Sequence, residues 1–580
     1  MPDDSERNRR SFLKIAGGAA AAAAVAGCLG GTDDSGGGNG SNGSGSGGSS
    51  GTGSSAGNGS SGGGGGSGSN TLAYARGSHS ATLDPQNSTS GEVAKVTEQI
   101  YDTLINFKPG KSTLTKGLAT DWNLEGTTAT LTLREDAVFD NGETFTADDF
   151  VATYRRFTDP DYQYYPGDDY VSGYGPFTLG NWIDDISTEG KNKLTIELTQ
   201  KYAPFLRNLA MFAASVHSKK AIESERDLAK KPVGTGPFSL ENLDDANEVI
   251  RLSAHKQYWG KGPNVDGVVF ETIGQNSTRA QSLAEGEVDI VDGLGAQSSQ
   301  QLQSADAAEL RQIDGINVGY MAFNMASVKP FQNKKVRQAI SYAINTKAIV
   351  ENIYSGFASQ ASQPLPPNVM GHNGSIDPYA YDTEKAQSLL EEAGYGDGFS
   401  FELSTFKNPR GYNPSPLPTA QTVKSNLSEV GIEVSVNQMS FDPFLTYTQE
   451  GKHDACFLGW YTDNADPDNF MYVLLDPQVE EDKLTQGQDW VSFDTEGYNT
   501  SNASGWANRQ YMTLVGDAQS TYDTATRKKK YKQASQIAHD EAPWVYLDYA
   551  KELRGVGNRV NNYTPAAISG PYLNLVTLDG

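Results

Sequence analysis

Strand patterns and helix patterns alternate along this chain from residue 71 almost to its end. Residues 71–75 and 129–136 alternate apolar and polar side chains, as half-buried strands do. A helix pattern follows Asp382, a good N-cap residue, and stops at Gly394. Helices that interleave with strands in this way pack against mixed sheets. The pattern therefore predicts an α/β fold, and 580 residues are too many for one compact core, so more than one lobe is expected.

Three further helices can be given approximate limits. Ser90 can cap a helix that runs to about Phe107, with an apolar stripe on one side. Thr146 and Asp149 have the spacing of a capping box at the start of a second helix. The third is a long helix over about 523–540. Together with the strands, these helices support the α/β class.

A low-complexity segment precedes the α/β region. From about Leu29 to Asn70 the chain consists almost entirely of Gly, Ser, Asn, Thr and Asp. Such residues cannot bury an apolar face, so residues 28–70 are predicted to form a disordered tether. A flexible linker of roughly 40 residues has a root-mean-square reach of about 35 Å. The folded body is therefore expected to begin near residue 71.

Residues 1–27 carry the features of an export signal. Arg9 and Arg10, within "NRRSFLK", resemble the twin-arginine export signature, and a short Ala/Gly-rich stretch follows. That stretch has about half the ~20 apolar residues that a membrane-spanning helix needs. It ends in "VAGC", which resembles a lipobox with Cys28 as the residue to be acylated. These motifs predict a protein exported in folded form and lipid-anchored on the extracellular face of the cell membrane.

The charge balance excludes one class of partner. Lys plus Arg is 46 and Asp plus Glu is 71, which gives a net charge of −25. A surface of this sign repels phosphate, so no nucleic-acid partner is expected. The acidic residues are spread along the chain and lysine is scarce, which suits a protein kept soluble at high salt, where charge repulsion is screened. We therefore expect a halophilic, haloarchaeal source.

The residues that most enzymes and metal sites need do not occur in the required patterns. The six histidines form no HExxH, HxH or helical pair, so no metal site and no cofactor are predicted. No GxSxG nucleophile motif is present. Cys456 lies in the apolar run "DACFLGW" and is expected to be an inert buried thiol. We therefore predict a protein without catalytic residues, that is, not an enzyme.

An acidic cluster in residues 459–470, "GWYTDNADPDNF", is open to four interpretations. A calcium loop counted from Asp463 would have Asp468 at position six, where Gly is needed, and Leu474 at position twelve, where Glu is needed. Catalytic carboxylates, a solvated acidic loop and a clamp for a charged ligand are the other three. Asp466 and Asp468 are expected to form a turn and to be solvated.

A series of segments along residues 71–580 can be compared in order with known families. They include "LTLREDAVFDNGETFTADDFVATYRRF", "GTGPF", "YWGKGPNVDGVVFETI", "LAEGEVDIV", "YDTEKAQSLLEEAGY" and "GWYTDNADPDNF". Together they resemble the family 5 extracellular solute-binding proteins of ABC importers, the dipeptide and oligopeptide group. The resemblance implies a two-lobe, type II periplasmic-binding-protein (Venus-flytrap) fold that closes over a ligand. It also implies that the chain begins in one lobe, crosses to the second and returns.

The resemblance also suggests limits for the two lobes. Residues 71–324 are expected to form lobe I, residues 325–543 lobe II, and residues 544–580 the return to lobe I. Such a receptor is expected to be a monomer that meets an ABC permease at the membrane.

Two segments resemble the dipeptide binders in particular. In "NPRGYNPSP", Arg410 matches the arginine that holds a peptide carboxylate, although Gly411 replaces a proline. In the acidic cluster, Asp463 matches the aspartate that holds the α-ammonium group. Burying both charges of a peptide requires opposite partners, and the guanidinium fork suits a carboxylate. Tyr412 and Trp460 are expected to supply apolar walls, with a surface role for Arg410 and a core role for Trp460 as the alternatives.

The sequence thus predicts a lipid-anchored, non-enzymatic receptor that captures short, dipeptide-like peptides and delivers them to an ABC permease. Three alternatives stay open. The same fold binds other solutes, such as longer peptides, nickel chelates or oligosaccharides. A secreted hydrolase and a purely structural surface protein are the other two.

Overall fold

The structure, a computed structural model, describes residues 70–407 and 409–579. The export signal, Cys28 and the predicted tether up to residue 69 lie outside the described residues, so these features stay predictions. In the described part of the chain, no helix is both long enough and apolar enough to span a membrane.

The strands are numbered in chain order. In the described residues they are β1 (Thr71–Arg76), β2 (Ile105–Phe107), β3 (Leu114–Lys116), β4 (Ala119–Glu125), β5 (Thr128–Leu133), β6 (Ile183–Glu189), β7 (Lys193–Leu198), β8 (Phe238–Asp244), β9 (Val249–Ala254), β10 (Gly267–Thr272), β11 (Ile290–Val291), β12 (Ala308–Asp314), β13 (Asn317–Phe323), β14 (Ala358–Gln360), β15 (Phe399–Phe406), β16 (Ile432–Met439), β17 (Ala455–Tyr461), β18 (Trp544–Gly557), β19 (Val560–Asn561) and β20 (Thr577–Leu578).

The helices are numbered in the same way. They are α1 (Gly91–Ile100), α2 (Ala147–Thr158), α3 (Phe205–Asn208), α4 (Lys219–Glu223), α5 (Asn276–Ala284), α6 (Ala296–Gln303), α7 (Lys334–Ala343), α8 (Thr346–Ala348), α9 (Thr383–Glu392), α10 (Pro416–Ser428), α11 (Phe441–Gln449), α12 (Asp468–Leu475), α13 (Arg509–Gln519) and α14 (Thr524–Glu541). Shorter 3₁₀ turns lie at Pro85–Asn87, Phe212–Ala214, Lys329–Gln332 and Glu481–Lys483, and π turns at Gly175–Gly180 and Ile349–Ile353.

The largest sheet consists of two halves that share β18. In the first half the order is β8-β9-β10-β1-β11-β18, and β12 also pairs with β18. In the second half the order is β16-β15-β17-β13-β18, and β14 also pairs with β18. Strand β1 runs parallel to β10, whereas β9 and β10 are antiparallel. The sheet is therefore mixed and helices interleave with its strands, which confirms the α/β class.

Strand β18 changes partners along its length. Trp544 lies opposite Ala322 of β13, and Ala550 lies opposite Ala358 of β14. From Lys551 onward the partner is β12, beginning opposite Asp314. One continuous strand thus runs from one half of the sheet into the other. The lobe limits expected at 324 and 543 stay a prediction.

A separate antiparallel sheet has the order β4-β5-β7-β6. Leu131 and Leu194 lie opposite each other on its buried face, and both are at most 2% exposed. The capping box at the start of α2 is confirmed, because the Thr146 N–H donates to Asp149 Oδ2 at 2.8 Å. This sheet and α2 share one apolar core with strands β13 and β17 of the large sheet.

Two of the other predicted helices agree closely with the structure. Asp382 caps α9 by accepting the Lys385 N–H at 2.8 Å, and Gly394 follows the helix with φ +80°. The long helix expected over 523–540 is α14. Cys456 is buried, as expected, and burial raises the pKa of its thiol far above the usual range.

The helix expected from Ser90 to Phe107 is wrong in its second half. Ser90 does cap α1, but α1 ends at Ile100 and residues 105–107 form β2. The Ile100 carbonyl accepts the N–H of Gly236 at 2.8 Å, so this distant loop satisfies the group that the next helical turn would use. A Cβ on Gly234 would lie 2.0 Å from the Ile100 oxygen, so only glycine allows this close approach.

Candidate ligand-binding site

Two adjoining cavities contain the two charged residues that the sequence predicts for ligand binding. The Arg410 cavity has a volume of about 140 Å³, and the Asp463 cavity has a volume of about 110 Å³. Lys95, Tyr461 and Arg554 line both cavities. The structure therefore brings Arg410 and Asp463, which are far apart in sequence, to one region of the molecule.

Asp463 follows strand β17 and is half-buried. Its Oδ1 accepts a short hydrogen bond from the Tyr174 hydroxyl, and its Oδ2 accepts the Asn469 Nδ2–H at 3.1 Å. It forms no ion pair with any residue in the described ranges. Removal of water by the surrounding protein raises the pKa of Asp463 to about 6, although the two hydrogen bonds partly oppose this shift.

Asn469, in the first turn of α12, holds the end of β17 in place. Its Oδ1 accepts hydrogen bonds from the Trp460 indole at 2.9 Å, the Thr462 hydroxyl at 3.0 Å and the Asp463 backbone N–H at 3.0 Å. Its Nδ2 donates to the Asp463 carboxylate. Sequence reasoning missed this residue, and the one local signal was an amide at the start of a helix, six positions after Asp463.

Asp466 and Asp468 are not solvated, so that expectation is wrong. Asp466 is fully buried, and its two oxygens accept hydrogen bonds from Arg527 at 2.8 and 3.0 Å. Asp468 is 2% exposed and accepts hydrogen bonds from Gln519 at 3.2 Å. A buried carboxylate requires such partners, and these come from distant helices that local sequence cannot identify. No group of three or more His, Cys, Asp or Glu side chains in the described residues could hold a metal ion.

Arg410 lies in a tight turn after β15. Its backbone N–H and carbonyl exchange hydrogen bonds with Asn413 at 3.0 and 2.9 Å. Its guanidinium carbon lies 3.5 Å from the centre of the Phe441 ring, and it forms no ion pair with the residues that the structure describes. Stacking on an aromatic ring orients the guanidinium without neutralising it.

Tyr412 and Trp460 line neither cavity. Both face a separate space of about 30 Å³, which is much smaller than either of the two cavities. Tyr412 is 2% exposed, and a Cβ on Gly459 would lie 2.2 Å from its ring. The structure therefore does not place these two side chains in the walls of the Arg410 and Asp463 cavities, and their contact with a ligand stays a prediction.

Tyr461 is the aromatic residue that lines both cavities, and sequence reasoning missed it. It is the last residue of β17, directly after Trp460. A Cβ on Gly411 would lie 1.8 Å from the Tyr461 hydroxyl oxygen. A proline at 411 would carry such a carbon, so the position of Tyr461 accounts for glycine there.

The opposite walls carry closely paired charges. The Lys95 ammonium lies 2.6 Å from both Glu92 Oε1 and Asp292 Oδ2. Arg554, near the end of β18, lies 3.0 Å from Glu552. These residues come from three segments, and none of them has a local sequence signal for a cavity.

The chain is similar to known proteins over most of its length. The family model for "Bacterial extracellular solute-binding proteins, family 5 Middle" matches residues 113–482, more than half of the chain. The dipeptide-binding protein of Escherichia coli (strain K12) is 29% identical over 530 residues, which cover 88% of this chain and 95% of that protein.

Solved structures give the same result. The periplasmic binding protein DppA from Helicobacter pylori, in complex with the peptide STSA, is 31% identical, with a TM-score of 0.73 and coverage of 88% of this chain and 98% of that one. The dipeptide binding protein from Pseudoalteromonas sp. SM9913, in complex with Met-Leu, is 26% identical, with a TM-score of 0.72 and coverage of 88% and 100%. These similarities confirm the two-lobe periplasmic-binding-protein fold. The chain belongs to family 5 of the bacterial extracellular solute-binding proteins, whose members bind solutes outside the cytoplasm.

Proposed function

We propose that this protein captures short, dipeptide-like peptides outside the cell and delivers them to an ABC permease. Arg410 holds the peptide carboxylate and Asp463 holds its α-ammonium group. The observation that carries this proposal is that two opposite charges line adjoining cavities while neither forms an ion pair within the described residues.

The electrostatics of Asp463 support the role of ammonium partner. Its raised pKa means that the ionised carboxylate is poorly stabilised where it stands. An ammonium group would supply the missing opposite charge and several N–H donors. The ligand would therefore favour the ionised form of Asp463, and the ionised form would favour the ligand.

The geometry of Arg410 supports the role of carboxylate partner. Its stacking on Phe441 restrains the side chain before a ligand arrives. A restrained guanidinium loses less conformational freedom when it makes two parallel hydrogen bonds to a carboxylate. The named relatives support the ligand class, because one is a dipeptide-binding protein and another was solved with Met-Leu.

The rest of the proposal concerns how the receptor works. It acts as a monomer without catalysing a reaction, and a lipid on Cys28 anchors it to the extracellular face of the membrane. Its lobes close over the peptide, since only differential affinity for the closed state can drive such a change. The lobe limits are proposed at 324 and 543, so that β18, which begins at Trp544, carries the chain from one half of the large sheet into the other.

A thermal-shift screen at high salt tests this function. We expect dipeptides to raise the unfolding temperature, and longer peptides, oligosaccharides and nickel chelates to raise it less. Recovery of the peptide intact after incubation is the expected result for a receptor. Stabilisation by a sugar or a nickel chelate alone, or hydrolysis of the peptide, would contradict the proposal.

A further inference from the structure

Hydrogen-bond acceptors are left unused in the walls of the Arg410 cavity. Asp292 Oδ1, Glu552 Oε1 and Glu92 Oε2 are buried atoms that find no hydrogen-bond partner within residues 70–407 and 409–579, and all three residues line this cavity. Asp292 is 1% exposed and Glu552 is 6% exposed. Buried polar atoms in folded proteins nearly always have a hydrogen-bond partner, so these oxygens need a hydrogen-bond donor.

The cations in the same walls are largely committed to other groups. Lys95 bridges Glu92 and Asp292 at 2.6 Å from each. The Arg279 guanidinium donates to backbone carbonyls, among them those of Gly293 at 2.6 Å and Asp292 at 3.0 Å. Arg554 donates to the other oxygen of Glu552 at 3.0 Å.

The remaining cations of the cavity wall do not remove this excess of acceptors. Lys551 is half-buried, and its Nζ lies 3.5 Å from Gln312 Oε1. Arg410 contributes one buried donor, its Nε, that has no partner among the described residues, and Arg410 is the proposed carboxylate partner. The Glu92 oxygen lies 3.9 Å from Arg76, so its charge is already partly balanced.

The acids of the wall are not in excess, so hydrogen-bonding capacity rather than net charge decides which ligand group fits. The cavity is lined by the cations Lys95, Arg279, Arg410, Lys551 and Arg554 and by the acids Glu92, Asp292 and Glu552. The unused capacity is mainly acceptor, which an acidic or apolar side chain leaves unsatisfied. An ammonium or guanidinium group offers three or five N–H donors and a positive charge. Such a group is the complement of Asp292 Oδ1 and Glu552 Oε1.

We propose that Asp292 and Glu552 form a subsite for a cationic side chain on the C-terminal residue of the ligand. This inference rests on the proposed function, because Arg410 would hold the carboxylate of that same residue within the same cavity. The receptor then prefers peptides that end in Lys or Arg over peptides that end in an apolar residue of equal size.

Calorimetry with two dipeptides tests the subsite. Ala-Lys and Ala-norleucine differ chiefly in the side-chain ammonium, so their affinity ratio reports on that group. We expect the wild-type protein to bind Ala-Lys at least about 10-fold more tightly, in line with a charge-assisted hydrogen bond. Both titrations are made at one salt concentration, because screening changes the ratio.

The variant Glu552→Gln removes one negative charge and keeps the shape of the side chain. It is expected to reduce the preference for Ala-Lys to about threefold or less while Ala-norleucine still binds, which shows that the variant is folded. Asp292→Asn is the second variant, with the same expectation. The control is Glu309→Gln, an exposed acid on β12 paired with Arg311, which should leave the ratio unchanged.

The outcomes separate this inference from the proposed function. Equal affinity for the two dipeptides, or an unchanged ratio in Glu552→Gln and Asp292→Asn, overturns the cationic subsite and leaves dipeptide capture intact. Absence of binding by both dipeptides to the wild-type protein overturns the proposed function together with the subsite.

Discussion

Asp463 is a carboxylate that the protein partly desolvates without forming an ion pair to it from any residue that the structure describes. Two hydrogen bonds, from Tyr174 and Asn469, hold its orientation. The ionisation of such a carboxylate depends on whether a positive charge enters the Asp463 cavity. Under the proposed function, that charge is the α-ammonium of a peptide.

Peptide affinity should therefore fall when the pH is lowered. The pKa of Asp463 is raised to about 6, so the carboxylate is ionised above that pH and becomes neutral below it. An ammonium group favours the ionised form, so binding is strongest well above pH 6 and is lost as the pH falls through about 6. We expect about a 10-fold loss between pH 7 and pH 5, measured by calorimetry.

Two variants show which group is responsible for this pH dependence. Asp463→Asn should abolish it. Glu98 also lines the Asp463 cavity and its pKa is raised to about 7 by burial, so Glu98→Gln is needed to separate the two carboxyls. A pH dependence that survives in Asp463→Asn and disappears in Glu98→Gln would show that Glu98, not Asp463, is the group that titrates.

Arg410→Lys should weaken dipeptide binding about 10- to 100-fold. Lysine keeps the charge but loses the second parallel hydrogen bond and the planar contact with Phe441. The matched control is Arg155→Lys, because the Arg155 guanidinium also lies over an aromatic ring, that of Tyr162, but on an outer helix. Equal affinities in the wild-type protein and Arg410→Lys, measured by calorimetry, would remove Arg410 from the site.

The charged residues of the site were accessible to sequence reasoning, whereas their supports were not. Arg410 and Asp463 lie in short segments that resemble dipeptide binders, so local sequence identified them. Asn469 and Tyr461 act through contacts that exist only after β17 and α12 have packed. Asp466 was misjudged for the same reason, because its partner Arg527 is 61 residues away.

At the scale of elements, the junction between β17 and α12 determines where Asp463 points. We expect Asn469→Ala to weaken dipeptide binding about 10-fold, because it removes one hydrogen bond to the Asp463 carboxylate. That bond lowers the pKa of Asp463, so the midpoint of the pH dependence should also move upward. A purely structural role for Asn469 would not move this midpoint.

The control for Asn469→Ala is Asn437→Ala. Asn437 also donates an amide N–H to a carboxylate, Glu402 at 2.8 Å, but it lines none of the cavities described here. Its replacement should leave both the affinity and the pH midpoint unchanged. A midpoint that stays in place in Asn469→Ala would contradict the positioning role.

The buried pair of Asp466 and Arg527 joins α14 to the segment before α12. Asp466→Asn leaves the Arg527 charge without a buried partner, so the free energy of unfolding should fall by about 3–5 kcal/mol. Urea unfolding at constant salt measures this change. Asp517→Asn, which removes an exposed partner of Lys530, should change it by less than about 1 kcal/mol. Similar losses in both variants would contradict the account of the buried pair.

Hydrophobic periodicity predicted the limits of an element correctly where the residues that end the element are close to it in sequence. Helix α9 begins at its own cap and ends at its own glycine, so both limits were predicted. Helix α1 ends at Ile100, whose carbonyl accepts a hydrogen bond from Gly236, in a loop that is remote in sequence. No pattern within residues 90–107 indicates that contact. The α/β class was predictable for the same reason as α9, since it follows from local patterns summed along the chain.

At the scale of the whole molecule, both proposed ligand contacts belong to one half of the large sheet. Arg410 follows β15 and Asp463 follows β17, and both strands lie in the order β16-β15-β17-β13. The opposite walls come from α1 and the end of β18. The spacing between the two charges is therefore set within one half. Under the proposed function, closure of the other half would cover the ligand and leave that spacing unchanged.

The central claim is that Arg410 and Asp463 each recognise one end of a peptide. Calorimetric titration with Ala-Leu and N-acetyl-Ala-Leu, on the wild-type protein and Asp463→Asn, tests it most directly. We predict that acetylation weakens binding at least about 100-fold in the wild-type protein, because a buried charge pair is lost. In Asp463→Asn it should weaken binding by less than about threefold, whereas the exposed control Asp494→Asn should behave as the wild-type protein does. The same loss on acetylation in the wild-type protein and in Asp463→Asn would contradict the claim.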